Sequence, residues 1–532
     1  ICNGFTDIYI RNTGYSNNND LILSAEKQYG NFRIDGLVGG TIFITRDDYF
    51  NAYTQGGLSV PGFYSLRASV DPIGWNTSIE RRQVNSLYGR VTGSWKSLVY
   101  LDVTGRNDWS STLSEENRSY FYPSVAGSVV LSELLQNVSW LDLWKVRTSW
   151  TMSKTPAGIY DINANYIVNN EVWGGYNSAY YPSELRGSDI RPQTAQTFEV
   201  GTAAIFLKNR LRFDVAVYRK RIYDFLASAP ISDATGFYSK YVNTDEERMK
   251  KGVEIMLGVT PVQSGDWRWS VDFNWSKDAT YYLKLDEQYT PDELWIKEGE
   301  RVDFYTVRDW EKDPSGNLIN VNGFPVRSQF YTVEGYTNPD WIWGFISNLK
   351  YKNFNFGFAL DGRVGGVSFS RLDALLWNSG AHIGTDNQWR YDEVVNGLKN
   401  YVGPGVKVIA GSVTYDSYGN ITNDTREYAP NDVEVSYESY MRSHYALGAW
   451  SWCSQDILDE TFIKLREISL SYQVPAKVSE MLKMKDLALS LIGQNIFYWG
   501  KEFKNTDPDY GETWDMVSPS LRYVGFNLKA TF

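Results

Sequence analysis

The last ten residues of the chain alternate without a break: Val524, Phe526, Leu528, Ala530 and Phe532 against Tyr523, Gly525, Asn527, Lys529 and Thr531. An extended backbone sends successive side chains to opposite faces. One face of this strand is therefore wholly apolar, and the other carries a phenol, an amide, an ammonium and a hydroxyl. The same dyad recurs in Trp267, Trp269, Val271, Phe273 and Trp275, in Leu211, Phe213, Val215 and Val217, and in Val253, Ile255, Leu257 and Val259. Shorter examples are Val99, Leu101 and Val103, and Leu487, Leu489 and Leu491. A single such strand also suits a soluble sandwich, whose apolar face meets a second sheet. Repeated strands of about ten residues, separated by turn residues, are what a transmembrane β-barrel requires.

Composition fits that requirement. The 532 residues contain no run of about eighteen apolar residues, so no ordinary helical span is present. A barrel needs only every second residue to be greasy, since its lumen and loops are polar. Aromatics make up 16% of the chain, with 20 Trp and 38 Tyr. Membrane-interface girdles and sugar-stacking surfaces are two uses for them. A net charge of -11 excludes a nucleic-acid partner, whose phosphates call for a basic surface. Two Cys, Cys2 and Cys453, give no disulfide framework, and two His with no Cys cluster give no transition-metal site. No cofactor is expected.

Turn signals divide the chain into about sixteen candidate strands. They lie near 5–10, 19–28, 31–46, 79–94, 97–107, 119–131, 143–152, 192–207, 210–223, 250–261, 266–279, 341–351, 353–370, 461–474, 485–499 and 520–532. Their connections alternate between two classes. Short ones include 29–30, 95–96, 208–209, 262–265 and Lys352, with 132–142 and 475–484 in the same phase. Long ones lie at 47–78, 153–191, 224–249, 280–340, 371–460 and 500–519, with briefer loops at 11–18 and 108–118. Barrels of the bacterial outer membrane have short periplasmic turns and long extracellular loops, so the alternation predicts an orientation and puts Phe532 on the periplasmic side. No signal peptide stands at Ile1, and strand begins at once near Phe5, so a further N-terminal part is expected upstream.

Two other readings remain open at this level: a passive outer-membrane porin, and a soluble all-β glycan-binding protein with long aromatic loops. An enzyme is not expected. No G-x-S-x-G, paired-Cys or His-cluster motif occurs, and pairs such as Asp292 with Glu293 read as solvated loop charges.

Several segments carry a more specific resemblance. Gly105-Arg106-Asn107-Asp108-Trp109-Ser110-Ser111-Thr112-Leu113, followed by Asn117-Arg118-Ser119-Tyr120-Phe121-Tyr122-Pro123-Ser124, resembles the most distinctive barrel motif of the SusC/RagA-like TonB-dependent outer-membrane transporters of Bacteroidetes. Gln196 to Gly201, Thr235-Gly236-Phe237 with Asn243, and Lys251-Gly252-Val253-Glu254 are similar to later family segments. Phe462 to Tyr472, Gly493-Gln494-Asn495-Ile496-Phe497 and Asp507-Pro508 resemble the closing strands, in order. The motif residues Arg106, Asn107, Asp108, Trp109, Tyr120, Pro123, Gly252, Glu254, Gln494, Asn495 and Phe532 read as structural. Asn107 and Asp108 are expected to satisfy loop backbone, Trp109 to sit among headgroups, and Pro123 to mark a bulge or a wall position needing no ladder donor.

The resemblance implies that residues 1–532 are the C-terminal part of a barrel of about 22 strands, of which about 14–16 lie here. The plug, TonB box and N-terminal regulatory-like domain of the family are absent from this sequence. It further implies import of oligosaccharides, or oligopeptides, beneath a SusD-like surface lipoprotein, with TonB engaged through the N-terminal part. For substrate contact the candidates are loop aromatics on which sugar C–H faces can stack: Trp173, Tyr176, Tyr180 and Tyr181 in one loop, and Trp377, Trp389, Tyr391, Trp450 and Trp452 in the longest. A loop as long as 371–460 is expected to hold structure of its own and to meet the lipoprotein. Asp507, Asp509 and Glu512 lack the full spacing of a calcium loop.

Overall fold

The computed structural model describes residues 7–135, 138–445, 453–507, 509 and 520–532, without the side chains of 170–173. Fifteen strands form one antiparallel sheet in strict chain order. They are β1 (Ile8–Tyr29), β2 (Phe32–Leu58), β3 (Ser69–Trp95), β4 (Val99–Ser110), β5 (Ser119–Val130), β6 (Leu141–Thr155), β7 (Gln193–Phe206) and β8 (Leu211–Tyr223). The series continues through β9 (Glu247–Ser264), β10 (Trp267–Lys284), β11 (Trp341–Tyr351), β12 (Phe354–Val364), β13 (Phe462–Gln473), β14 (Asp486–Gly500) and β15 (Tyr523–Thr531). Among the described residues β1 bonds only to β2 and β15 only to β14, so the sheet has two free edges.

Antiparallel order places successive connections on opposite rims. One rim carries 30–31, 96–98, 131–140, 207–210, 265–266, 352–353 and 474–485, and the other 59–68, 111–118, 156–192, 224–246, 285–340, 365–461 and 501–522. The separation of long from short connections is as the sequence led us to expect, and Phe532 follows β15 at the short rim. Two expectations are corrected. The strands placed at 5–10 and 19–28 are one strand, because Asn17, Asn18 and Asn19 pair with Ile44, Phe43 and Ile42 of β2. A continuous ladder holds that polar run extended in spite of its turn propensity. The loop placed at 47–78 is mostly strand: β2 and β3 pair up to Leu58 and Ser69, well beyond what a bilayer needs.

The apolar rows lie bare. Val524, Phe526 and Leu528 are 82%, 64% and 57% exposed, and Leu87, Val91, Leu101, Val217, Leu470 and Leu491 are also exposed. No second layer of protein covers these rows among the described residues, so the face suits acyl chains. Rings gather where strands meet the short rim: Trp267 stacks on Tyr351 (4.1 Å) and Trp140 on Phe206 (5.7 Å), and Phe354 meets Tyr472 at a tilt (4.7 Å). Lys96 and Lys352 place their ammonium groups over Trp95 and Tyr351, 5.0 and 5.5 Å from the ring centroids. Amphipathic rings with adjacent Lys mark a membrane–water boundary.

The opposite face is laced with charge. Arg147 donates to Asp214 through two bonds (2.9 and 2.8 Å) and lies 3.5 Å from Glu199; Arg212 bonds Asp272 (2.9 Å), and Arg466 bonds Asp361 through two bonds of 2.7 Å. Such a face needs water or polar protein beside it. Large side chains there lie over glycines: a Cβ on Gly252 would fall 2.4 Å from the ring of Tyr218, its direct cross-strand partner. The glycine of the Lys251-Gly252-Val253-Glu254 segment thus makes room for a ring, while Glu254 shares the lumen face.

In the full-length protein, Leu491→Arg should destabilise the bilayer-inserted barrel by about 2–4 kcal/mol in a urea titration, whereas Ser490→Arg, facing the lumen, should cost under about 1 kcal/mol.

Candidate functional site

The two longest loops fold together above the sheet. Loop 365–461 is tied at its neck, where Val367–Phe369 pairs with Ile457–Asp459. Phe369 and Ile457 pack there with Ala374 and with Val307 from loop 285–340. Three helices follow, each begun by a side-chain cap: Ser370 for α1 (Arg371–Ser379), Asn387 for α2 (Gln388–Asn396) and Ser436 for α3 (Tyr437–His444). α1 and α2 end at Gly380 and Gly397, both with positive φ. The loops are joined by Ile319–Val321, which pairs in parallel with Val406–Ala410. Asp309 accepts from the Ser454 hydroxyl (2.6 Å), and the Trp310 indole donates to Gln455 (2.8 Å). The expectation that the longest loop has structure of its own holds.

Its interior is aromatic. Tyr401 meets Tyr440 (4.9 Å), Tyr440 stacks on His444 (5.6 Å), and His444 stacks on Trp310 (5.1 Å), while the exposed Trp389 touches Tyr401 edge-on from outside (5.7 Å). Burial, reinforced by Arg327, lowers the His444 imidazole to about 4. Burial also raises the Asp456 carboxyl to about 7, against the N–H donated by Cys453, and raises the Cys453 thiol to about 12. Cys453 is a free thiol, and Cys2 lies outside the described residues.

The candidate aromatics fall into two groups. Trp377 on α1 is sandwiched between His382 (4.1 Å) and Tyr445 (4.9 Å) and forms one wall of a cavity of about 250 Å³, with Arg390, Glu393, Tyr437, Met441 and Arg442. Glu393 accepts from the Ser436 hydroxyl (2.5 Å) and from the Glu438 N–H (3.0 Å). An aromatic wall beside fixed charged groups can take a polar, hydroxyl- or amide-bearing ligand. Trp389 and Tyr391 on α2 are exposed. The second group belongs to loop 156–192, where Ile167–Trp173 pairs with Tyr176–Tyr180. Tyr176 is 82% exposed, Tyr180 is exposed, and Tyr181 packs edge-on against Tyr166 (5.5 Å) and Phe237 (5.7 Å). The side chain of Trp173, and Trp450 and Trp452 entirely, lie outside the described residues. The polar neighbours of Trp377 are not evident in a loop read as one stretch; the caps at Ser370, Asn387 and Ser436 are the sequence signal that divides it.

The motif residues form the base of the other loops. Asp108, buried, accepts from Arg106 (2.8 Å) and from the Tyr122 hydroxyl (2.7 Å), while Asn107 donates to the Ser119 hydroxyl (3.1 Å). Where the sequence leads one to expect loop backbone, the structure gives side chains: Asp108 bonds Arg106 of its own strand and Tyr122 across the β4–β5 ladder, and Asn107 bonds Ser119 across it. Tyr120 is buried with Leu113, Ala157 and Ile190, which fastens loops 111–118 and 156–192 to the sheet. Trp109 is exposed at the long-loop end of β4. Pro123 needs no donor toward β6, since that ladder begins at Ser124. Gln494 opposes Glu467, and Asn495 with Ile496 opposes the single Arg466, a bulge in which Asn495 takes φ 54. Asp507 and Asp509 both hold the Lys464 ammonium, and Asp509 also bonds Arg466 (2.6 Å); Glu512 lies outside the described residues.

A family model described as "TonB dependent receptor-like, beta-barrel" matches residues 3–437. The chain belongs to this TonB-dependent receptor family. It is 21% identical to the TonB-dependent receptor P3 of Formosa agariphila over 81% of its own length and 42% of that protein. It is 23% identical to the TonB-dependent receptor SusC of Bacteroides thetaiotaomicron, over 66% of this chain and 36% of that protein. The chain therefore spans less than half the length of these curated relatives. Among solved structures, the RagAB peptide transporter matches with a TM-score of 0.74 at 18% identity, over 99% of this chain and 56% of that one. The SusC/RagA-like resemblance of the motifs is borne out, as is the antiparallel barrel fold. TonB-dependent receptor barrels are outer-membrane proteins, which makes the bare face of the sheet the lipid face and the long-loop rim the extracellular one.

Two predictions follow from this geometry. Asp108→Ala leaves Arg106 and Tyr122 without their acceptor and should cost about 1.5–3 kcal/mol in barrel stability, read by urea titration. In the lid, the raised Asp456 carboxyl favours folding fully below pH 3.8 and loses that contribution as pH rises through about 7; the lowered His444 favours folding above 6.5 and loses it as pH falls through about 4. Asp456→Asn should abolish the loss of lid protection between pH 3.8 and about 7 in hydrogen exchange while sparing the acid limb set by His444.

Proposed function

We propose that this chain supplies the extracellular lid, the lumen lining and most of the wall of a TonB-dependent importer that takes up oligosaccharides, or oligopeptides, together with a SusD-like surface lipoprotein. The observation that carries the reading is the co-folding of loops 285–340 and 365–461 into one lid with its own packed core on the extracellular rim. A lid of that size has the surface to meet a second protein and to hold a ligand against it. Tyr176, Tyr180, Trp389 and Tyr391 present rings to that space, and the cavity beside Trp377 offers both a ring and charged groups.

In this reading the residues 1–532 are the C-terminal part of the barrel. The remaining strands pair with the free edges of β1 and β15, and the plug and TonB box come from the N-terminal part of the protein. Oligosaccharide import is what the SusC/RagA-like motif resemblance implies, and the likeness to the RagAB peptide transporter keeps oligopeptides as the second reading. A passive porin made by this chain alone is disfavoured, because the odd number of sheet strands among the described residues leaves β1 and β15 pointing the same way.

The test is uptake of labelled oligosaccharide and oligopeptide by cells carrying the full-length protein and its neighbouring lipoprotein. Uptake should vanish when TonB is deleted; uptake that persists without TonB, or ion conductance by this chain alone in a planar bilayer, would overturn the reading. Tyr176→Ala or Trp389→Ala should weaken cargo binding about 2–10-fold in calorimetry, as loss of one stacked ring does.

A further inference from the structure

The lipid face carries one patch that an acyl environment does not explain. Directly paired residues point the same way in an antiparallel ladder. Phe198 pairs with Arg219, Arg219 with Lys251, and Lys251 with Ala279; one step nearer the short rim, Val200 pairs with Val217, Val217 with Val253, and Val253 with Lys277. Val200 and Val217 are exposed members of the apolar rows, so Arg219, Lys251 and Lys277 face outward beside them, and all three are exposed.

Among the described residues none of these three cations pairs with a carboxylate on its own face. Glu199 and Asp214 lie on the lumen side with Arg147, and Asp278 lies there with Lys250 (2.8 Å). The outward Glu247, farther along β9, is held by Arg221 through two bonds. The partners recorded for the patch are rings: the Arg219 guanidinium lies 5.6 Å from the Phe198 ring and the Lys251 ammonium 5.5 Å from Tyr281. Arg219 directly opposite Lys251 is a like-charge pair, which destabilises a ladder unless an anion sits against it. In a chain of net charge -11, three such cations on one small area of lipid face call for that anion.

Between the cations runs a groove of about 620 Å³, walled by Phe198, Val200, Val217, Val253 and Ala279. Arg219 lies eight residues along β8 from its short-rim end at Leu211. At about 3.4 Å per residue and a strand tilt of about 40°, it stands roughly 20 Å above that end, near the upper edge of an apolar band about 25 Å tall. That is headgroup height in the outer leaflet. We propose that Arg219, Lys251 and Lys277 form a binding site for a phosphorylated outer-leaflet glycolipid, its phosphates on the cations and one acyl chain in the apolar groove below them. Guanidinium and ammonium groups suit phosphate oxygens, and basic clusters at headgroup height hold anionic lipid.

The test uses the full-length protein in detergent, with bisphosphorylated lipid A added and the bound fraction read by native mass spectrometry. Each of Arg219→Gln, Lys251→Gln and Lys277→Gln should lower the bound fraction about fivefold, and the triple variant by well over about tenfold. Lys220→Gln, on the lumen face of the same strand, should leave binding unchanged, and dephosphorylated lipid A should bind the native protein as weakly as bisphosphorylated lipid A binds the triple variant. Removing the outward cations relieves repulsion, so the heat-modifiable gel mobility of the folded barrel should persist in every variant. Equal binding by the native protein and the triple variant overturns the proposal, as does equal binding of the dephosphorylated glycolipid. Displacement of the glycolipid by millimolar inorganic phosphate also overturns it, since the site would then be one for a free anion.

Discussion

Every backbone N–H and C=O inside the hydrocarbon must find its partner within the protein, because no water is there to take its place. That constraint shapes the sheet. Among the described residues fifteen strands bond neighbour to neighbour in chain order, with no crossover, and the ladders shift register only locally, as at Asn495. The period of two then does the rest, sending Leu470 and Leu491 to the lipid and Ser469 and Ser490 to the lumen.

The chain obeys two solvents in alternation. In the wall, apolar side chains are exposed and charges such as Arg147, Asp214 and Glu199 are turned inward, the reverse of a soluble protein. Above the long-loop rim the ordinary order returns: Phe369, Ile457, Ala374 and Val307 are buried, helices carry caps, and aromatic rings pack against one another. The motif around Asp108 and Tyr120 stands where the two regimes meet. Asp108 holds wall side chains on the lumen face, and Tyr120 lies beneath a loop core.

The wall was legible because its rule is local. Strands near 97–107, 210–223, 341–351 and 485–499 were readable within a few residues, and so was the rim to which each connection belongs. The loop expected at 11–18 is strand because a ladder to β2 outweighs local turn preference, and the outer halves of β2 and β3 are strand because pairing continues where the apolar alternation has stopped. The lid obeys no such rule. Trp377 could be singled out as a loop aromatic, yet Arg390, Glu393 and Tyr437 reach its cavity only through the packing of α1 against α3 and of α2 against α3. The outward cations Arg219, Lys251 and Lys277 went unremarked for a like reason. Each is one charge in its own strand, and they become a patch only when the register of three ladders is known.

The sequence by itself determined the class of fold, the lipid face, the orientation of the rims and the kinship to SusC/RagA-like transporters, because alternation, turn chemistry and contiguous motifs are written along the chain. The tertiary structure alone decided which loops fold together, which aromatics are packed and which are bare, and which charges meet across strands. Those outcomes depend on register and on contacts between residues such as Trp310 and Gln455, far apart in sequence, whose partners no local pattern encodes.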